Sequence, residues 1–305
     1  MKFYFKVTQC LIYLKNTSEH IFTNKHEFRV GKKGYVFLVK ALMDIEALYA
    51  DNSVETLNIA DLWENIIRYR LELSAINNYE FRQIIIPEKI SLANKLFYRD
   101  IAAKSPLMSR LETMLNKNPY LEKSYVSAYD TLLPHVYSTP SPIFPVDTHF
   151  TTFGTYKMLC SILHSLGMDM PIVNFPESKP YESDVGKMIT GSPVFEDDLI
   201  PVFSGMTSEP ELIEKYDAPD GGHFTTRRGW RCPSAPINRR VLVIGNSYFG
   251  LGLHSREMSW WGARLFTEFH FIWGHHFNYA DVNRVNPDIV IGQTIERYLG
   301  TAPWA

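Results

Sequence analysis

The sequence contains little that would cross-link it, bind polyanions or anchor it in a bilayer. Its 305 residues include only three cysteines, none in a CxxC pair, so neither a disulfide framework nor a cysteine metal site is expected. Lysine and arginine total 31 against 33 aspartate and glutamate, which argues against a general nucleic-acid binder. The N-terminal apolar run, "CLIYL" at 10–14, is too short for a signal-peptide core or a membrane span.

These absences set expectations about compartment and composition. Without a signal peptide the chain is expected in the cytoplasm, or in the periplasm if a leader has been removed. No stretch approaches 18 apolar residues, so membrane insertion by this chain is not expected. With 45% hydrophobic and 21% charged residues, the composition suits one large globular α/β domain. Aromatic residues reach 14%, which fits either an aromatic core or a groove that stacks on sugar rings.

The apolar pattern predicts an α/β fold with an open, mainly parallel sheet flanked by helices. Apolar residues at helical spacing indicate helices at 53–78, 105–124, 151–167 and 253–269. Short buried strands are predicted at 81–86, 239–245, 270–274 and 287–293. Alternation of such strands and helices is typical of parallel sheets.

Two further segments complete this organisation. "EFRVGKKGYVFLVK" (27–40) predicts a hairpin. Residues 168–238 are rich in proline and glycine and are expected to form an irregular insertion or small antiparallel subregion. We expect a single domain over residues 1–305, with this subregion inside it.

A serine follows the strongest strand, in "VLVIGNSYFG" (241–250). Ligands of open α/β sheets bind outside the carboxyl ends of the strands, and Gly245 permits close approach of the backbone. Ser247 is therefore either a nucleophile whose own amide faces an oxyanion, or a turn residue beside a helix cap. The GxSxG spacing of an α/β-hydrolase elbow is absent, because Phe249 occupies the position of the second glycine.

A nucleophilic serine needs a base, and "PVDTHFTTFG" (145–154) contains a histidine close to a carboxylate. Asp147 and His149 are two residues apart in an extended segment, so their side chains project to one side. Asp147 could then accept from His149 Nδ1 and leave Nε2 for the serine. Equally, Asp147 could cap the helix at 151, with His149 at the surface. No metal site is expected, because a third and a fourth ligand would have to come from His275, His276 and Asp281, and adjacent histidines in a strand point opposite ways.

Five motifs in order resemble the SGNH hydrolase-like domain of the alginate O-acetyltransferase family. They are "GKKGYVFL", "IIIPEKISLAN", "DTHFTTFGTYKML", "VLVIGNSYF" and "NPDIVIGQTIERYL", spread over residues 31–299. The resemblance implies a permuted triad in which Ser247 is the nucleophile, His149 the general base and Asp147 the residue that orients it.

This sequence departs from the family pattern at three positions. Asn246 replaces an aspartate, Phe150 replaces a tryptophan and Gln293 replaces an acid. The Glu296-Arg297 pair is retained, and Arg297 either binds substrate or braces the C-terminal turn against Glu296.

The resemblance implies a serine-dependent O-acyltransferase that acetylates a polysaccharide or glycan hydroxyl through an acyl-enzyme. No cofactor would stay bound, but an acyl donor is required, such as acetyl-CoA or an acetylated carrier, and a membrane-bound partner could supply the acetyl groups. Oxyanion support is expected from Asn246 and Tyr248. Candidate substrate contacts are Phe150, His223, Arg227, Arg228 and Arg297. A carbohydrate esterase with the same triad and a non-catalytic glycan-binding domain remain alternatives.

Overall fold

A seven-stranded sheet occupies the centre of the computed structural model, which describes residues 5–6, 20–23 and 26–301. The apolar run at 10–14 lies outside these residues. In chain order the described strands are β1 (Phe5–Lys6), β2 (His20–Phe22), β3 (Glu27–Val30), β4 (Val36–Lys40), β5 (Glu80–Ile86), β6 (Tyr125–Ser127), β7 (Val173–Glu182), β8 (Val194–Phe203), β9 (Glu211–Tyr216), β10 (Arg227–Arg231), β11 (Ile237–Gly245), β12 (Phe266–Trp273) and β13 (Ile289–Ile295).

Helices connect these strands. The described α-helices are α1 (Val54–Asn77), α2 (Lys89–Leu92), α3 (Pro106–Lys117), α4 (Pro119–Glu122), α5 (Ala128–Leu132), α6 (Thr152–Ser165), α7 (Asp184–Thr190), α8 (Met258–Leu265) and α9 (Tyr279–Val285). Short 3-10 helices lie at Lys32–Gly34, Ala47–Tyr49, Asn94–Leu96, Leu133–His135 and Glu296–Tyr298. In the part of the chain described, no helix is both long enough and apolar enough to cross a bilayer.

The central sheet has the order β6-β5-β13-β11-β12-β10-β9. The first five strands run parallel, and β10 and β9 add antiparallel strands at one edge. Every residue of β13 is buried, as is usual for a parallel strand covered on both faces. The expected α/β class, with a mainly parallel sheet flanked by helices, is confirmed. Because β5, β13, β11 and β12 are parallel, their carboxyl ends meet at one edge, which we call the carboxyl edge.

The predicted hairpin at 27–40 is present as β3 and β4 around Lys32–Gly34. The predicted helix over 253–269 is shorter, because α8 ends at Leu265 and β12 begins at Phe266. Phe266 and Phe269 are buried and pair in register with β11. Bulky aromatic residues favour strands, and sheet pairing there overrides the helical spacing.

Residues 168–238 contain strands β7 to β10 and helix α7. β7 and β8, which are connected by α7, pair antiparallel in a small sheet with β1, whereas β9 and β10 extend the central sheet. Trp230 of β10 packs against Phe269 with ring centroids 6.0 Å apart, which ties that strand to the core. Our assignment of residues 1–305 to one domain stays a prediction.

Replacement of Gly154 by alanine tests how tightly α6 packs at its start. An alanine Cβ there would lie 2.2 Å from the carbonyl oxygen of Pro142. Alanine gains about 1 kcal/mol of helix propensity over glycine, but overpacking against backbone costs about 1–3 kcal/mol. We therefore expect Gly154→Ala to lower the free energy of unfolding, measured by urea denaturation. Gly274→Ala is the control, because the space around its Cβ position is open. An unchanged free energy of unfolding in Gly154→Ala would contradict tight packing of α6 against Pro142.

Candidate active site

Ser247 lies directly after β11, at the carboxyl edge of the sheet. The Asn246 N–H donates to Gln293 Oε1 of β13 at 2.8 Å, and a Cβ on Gly245 would lie 2.6 Å from that same oxygen. The Asn246 carbonyl accepts from the N–H groups of Phe249 and Gly250 at 3.0 and 3.1 Å, which closes a tight turn. The next helix, α8, begins at Met258 with Glu257 at its N-cap, so neither Asn246 nor Ser247 caps it.

Residues 143–150 form a loop that carries Asp147 and His149. Ile143 and Phe150 close it as an antiparallel bridge, and the carbonyl oxygen of Pro142 accepts from the Thr151 N–H at 3.0 Å. Thr151 caps α6 through its side-chain oxygen. Asp147 is therefore free of the capping role that the sequence also allowed.

His149 is hydrogen-bonded to Asp147 through Nδ1, at 3.1 Å from Oδ1. The same oxygen accepts the backbone N–H of His149 at 2.8 Å. A carboxylate accepts only, so Nδ1 carries the proton in this pair. The Asp147 side chain is fully buried, whereas that of His149 is 31% exposed. This arrangement fixes the imidazole ring and leaves Nε2 on its far side.

Ser247 and His149 line one cavity of about 650 Å³ at the carboxyl edge. Other lining residues are Leu42, Met43, Thr148, His223, Phe224, Asn246, Tyr248, Trp273, His275, Ile295, Arg297, Tyr298 and Thr301. Within the described residues no hydrogen bond joins Ser247 Oγ to His149 Nε2. Catalytic pairs commonly close this contact only when substrate binds.

A second carboxylate, Asp184, lies beside His149, and our reading of the sequence missed it. Its Oδ2 is 3.4 Å from His149 Nδ1 and accepts from Thr148 Oγ1 at 2.7 Å. Its backbone N–H donates to Asp147 Oδ2 at 2.9 Å. The local signal was only a serine cap, Ser183, before a short helix, and this gives no hint of contact with a loop 35 residues away.

The two carboxylates control the protonation of His149. Burial acts to lower the pKa of His149, but the hydrogen bonds and negative charges of Asp147 and Asp184 outweigh it and raise the pKa to about 10. Burial acts to raise the pKa of Asp184, and the His149 hydrogen bond and charge hold it well below its usual value. The two carboxylates together therefore favour the protonated form of His149.

The Asp147, His149 and Asp184 ligand atoms lie within 4.8 Å of one another, a spacing that a metal ion would also require. Both oxygens of each carboxylate already accept from N–H or O–H donors, however. Asp147 uses the His149 and Asp184 amides, and Asp184 uses the amides of Thr148 and Val185 and the Thr148 hydroxyl. This donor set favours a hydrogen-bonded acid–base cluster.

Lys89 is hydrogen-bonded to the backbone of the loop at 143–150. Its Nζ donates to the carbonyl oxygens of Pro145 at 2.7 Å and Asp147 at 3.0 Å. Burial lowers the pKa of Lys89 to about 8, against the opposing charges of Glu196 and Asp147. Glu196 in turn accepts from the Val146 N–H, and burial raises its pKa to about 8. A buried lysine and glutamate thus fix three consecutive backbone positions of the loop.

Two expected oxyanion-support residues lie beside Ser247. Asn246 is 5% exposed, and its Nδ2 has no hydrogen-bond partner among the described residues. The buried Tyr248 hydroxyl donates to the Thr148 carbonyl oxygen at 2.9 Å, and burial raises the pKa of this phenol. Phe150 lies behind Tyr248, with ring centroids 4.7 Å apart. Because Phe150 is 2% exposed and does not line the cavity, it supports Tyr248 from the core.

Some of the predicted substrate contacts line the cavity in the structure, and others lie outside it. His223 lines the cavity and stacks on Trp273 with ring centroids 4.3 Å apart. Arg227 and Arg228 are not among the lining residues. The Arg227 guanidinium lies 5.4 Å from the centre of the Tyr216 ring, and Arg228 donates to Asp217 and to the Tyr216 carbonyl. Trp260 and Trp261 also lie outside this cavity.

Arg297 lines the cavity and also braces the C-terminal turn. Its partner is Glu88, whose Oε2 accepts from Arg297 Nη2 at 2.8 Å, so the expectation of a pair with Glu296 is wrong. Glu296 points to other donors, the Glu88 amide at 2.9 Å and the Ser91 hydroxyl at 2.6 Å. Adjacent residues after a strand leave in different directions, which separates Glu296 from Arg297.

The mainly parallel sheet flanked by helices is a fold that solved structures share. Bacillus cereus PatB1 has a TM-score of 0.59 at 11% identity, covering 90% of this chain and 97% of that one. A DHHW family protein from Eubacterium siraeum has a TM-score of 0.58 at 11% identity, covering 92% and 94%.

The O-acetyltransferase domain of Pseudomonas putida AlgJ has a TM-score of 0.55 at 12% identity, covering 91% of this chain and 94% of that domain. No protein-family model and no curated protein sequence matches the chain. The expected likeness to alginate O-acetyltransferases is therefore supported at the level of the fold.

Replacement of Lys89 tests whether it fixes the Asp147 loop. Lys89→Met removes two buried charge-assisted hydrogen bonds to carbonyl oxygens, each worth about 1.5–3 kcal/mol. We expect a loss of at least one such increment in the free energy of unfolding, measured by urea denaturation at pH 7. Lys95→Met, at an exposed position nearby, should change little. Equal stability of the two variants would show that Lys89 does not support the loop.

Proposed function

We propose that this protein is a serine-dependent O-acyltransferase that transfers acetyl groups to a hydroxyl of a polysaccharide or glycan. The observation that carries the proposal is that Ser247 and His149 line one cavity at the carboxyl edge, with His149 Nδ1 bound to buried Asp147. The shared fold with the AlgJ O-acetyltransferase domain supports the same class of reaction. The acetyl donor would be acetyl-CoA or an acetylated carrier, delivered by a partner that could be membrane-bound.

In the first half-reaction Ser247 Oγ attacks the carbonyl carbon of the donor. His149 Nε2, in its neutral form, takes the Oγ proton, and Asp147 stabilises the resulting imidazolium. The bond to the leaving group breaks as His149 returns that proton to it, which leaves an acetyl ester on Ser247. In the second half-reaction a sugar hydroxyl attacks this ester while His149 takes its proton. The bond between the acetyl group and Ser247 Oγ then breaks, His149 returns the proton to Oγ, and the acetylated sugar leaves.

Asn246 Nδ2 is the side-chain donor best suited to the oxyanion of both tetrahedral intermediates. It is buried next to Ser247 and has no partner among the described residues. A buried unpaired donor costs about 1–3 kcal/mol, and a developing oxyanion would recover that energy in the transition state. The Ser247 amide is the second donor we assign.

The shape of the cavity fits a glycan acceptor. Flat rings line one side of it, with His223 stacked on Trp273 and Phe224 against His275 at 5.4 Å between ring centroids. Phe224 is 57% exposed, so its ring face is available to a sugar. A volume of about 650 Å³ lies in the range of small-molecule sites.

Substitution of the nucleophile is the direct test. Ser247→Ala should lower kcat for p-nitrophenyl acetate by about a thousandfold or more, since loss of a triad nucleophile typically leaves only background catalysis. A sulfonyl fluoride should label wild type at Ser247, as located by mass spectrometry. Exposed Ser109→Ala is the matched control and should retain activity and labelling.

Outcomes of that experiment separate the alternatives. Unchanged turnover by Ser247→Ala would overturn both enzyme assignments and favour a glycan-binding domain. With an active wild type, an added oligosaccharide acceptor should become acetylated faster than the donor is hydrolysed. If only acetate forms at every acceptor concentration, the protein is an esterase.

The pH dependence of activity should follow the protonation of His149. Only neutral His149 can accept the Ser247 proton, and its pKa is raised to about 10. Below that pKa, each unit of falling pH reduces the neutral fraction about tenfold. We therefore expect kcat/KM for an acetyl ester to rise steadily between pH 7 and 9, after subtraction of the rate with Ser247→Ala. A rate constant that is flat over this range would contradict the assignment of His149 as base.

A further inference from the structure

Asp184 contacts both members of the His149–Asp147 pair from a separate element. It is the first residue of α7, and its Oδ2 lies 3.4 Å from His149 Nδ1. Its amide donates to Asp147 Oδ2 at 2.9 Å. The side chain of Asp184 is 27% exposed, whereas that of Asp147 is fully buried. Asp184 therefore has two roles: its amide orients the buried Asp147 carboxylate, and its own partly exposed carboxylate is a second acceptor close to His149.

We propose that Asp184 is a positioning residue, which shares the Nδ1 proton of His149 with Asp147 and sets the pH at which His149 becomes a base. This inference rests on the proposed function only in that it concerns the same histidine. The proposed site thus contains four side chains, those of Ser247, His149, Asp147 and Asp184, and both carboxylates lie on the Nδ1 side of His149.

The contacts of Asp184 are those of a fixed group. Thr148 binds it twice, with its hydroxyl 2.7 Å from Oδ2 and its amide 3.3 Å from Oδ1. Ser183, the preceding residue, donates to the Val146 carbonyl at 2.7 Å and accepts from the Gly186 N–H at 3.0 Å. The start of α7 is thereby tied to the loop that carries His149, so Asp184 cannot leave without disturbing that loop.

Several charged groups surround the cluster and must be counted with it. Asp147 and Asp184 contribute two negative charges against the single positive charge of protonated His149. Positive charge also comes from buried Lys89 and from Arg256, both of which interact with Asp147. The other titratable groups facing the cluster are Glu196, which interacts with both aspartates, and Tyr248, which packs on His149 and is coupled to Glu88 and Arg297.

Among these charged groups, Asp184 is the second nearest to His149 Nδ1, at 3.4 Å, after Asp147 at 3.1 Å. Its negative charge, 3.4 Å from Nδ1, favours the protonated ring. An opposite charge within about 4–6 Å shifts a pKa by about 1–3 units. Removal of the Asp184 charge should therefore lower the pKa of His149, while Asp147 continues to hold Nδ1.

The test follows the His149 ring itself, by NMR titration of its Cε1–H in histidine-labelled protein that carries Ser247→Ala. Asp184→Asn keeps the backbone amide that binds Asp147 and removes the charge, while it replaces one acceptor oxygen with an NH2 donor. We expect it to lower the His149 pKa by about one unit or more. Asp197→Asn, an exposed change nearby, should leave the titration unchanged.

Activity provides the second readout. In the Ser247 wild-type background, Asp184→Asn should shift the acid limb of the kcat/KM profile to lower pH by the same amount. If Asp184→Asn does not fold, as judged by its unfolding transition, Asp184→Ser should give the same direction. An unchanged His149 titration in a folded variant would overturn the role of Asp184, whatever the activity. A shifted titration in a protein without Ser247-dependent turnover would instead count against the proposed function alone.

Discussion

The hydrogen bond between His149 Nδ1 and the buried Asp147 carboxylate is the interaction on which the site depends. It holds only if the loop at 143–150 keeps its shape, because both residues belong to that loop. Groups from other parts of the chain fix the loop backbone: Lys89 binds two of its carbonyls, Glu196 its Val146 amide, and Tyr248 its Thr148 carbonyl. The Ser247 turn takes part in this support, since Tyr248 is the next residue. Ser247 and His149 are thereby held by one connected set of contacts.

Several of these features were predictable because they depend on neighbours in sequence. The buried strand before Ser247 and the proximity of Asp147 to His149 both follow from local spacing. The carboxyl edge then brings the end of β11 towards the ends of β5 and β13, as expected for parallel strands. Local pattern and strand direction together were enough to predict the fold class and to select Ser247, His149 and Asp147 as candidates.

What could not be predicted depends on long-range packing. Asp184 reaches His149 because α7 docks on the 143–150 loop, and nothing near residue 184 indicates where that helix lies. Arg297 pairs with Glu88 from the end of β5, because β5 and β13 are neighbours in the sheet. Arg228 was a reasonable substrate contact by residue type, but on its strand the side chain is oriented so that it donates a hydrogen bond to Asp217. In each case the partner is set by tertiary position, which charge and spacing along the chain do not encode.

The distribution of charge across the cavity has a chemical consequence. Around His149, Asp147 and Asp184 concentrate negative charge. Around Ser247, the turn is built from neutral amides, with the Asn246 N–H bound to Gln293 Oε1. Two carboxylates beneath Ser247 would oppose an oxyanion there, whereas amides offer N–H donors at no electrostatic cost. In the mechanism proposed above, stabilisation of the imidazolium and of the oxyanion is therefore divided between two sides of one cavity, and each side carries the charge that its own part of the proposed reaction requires.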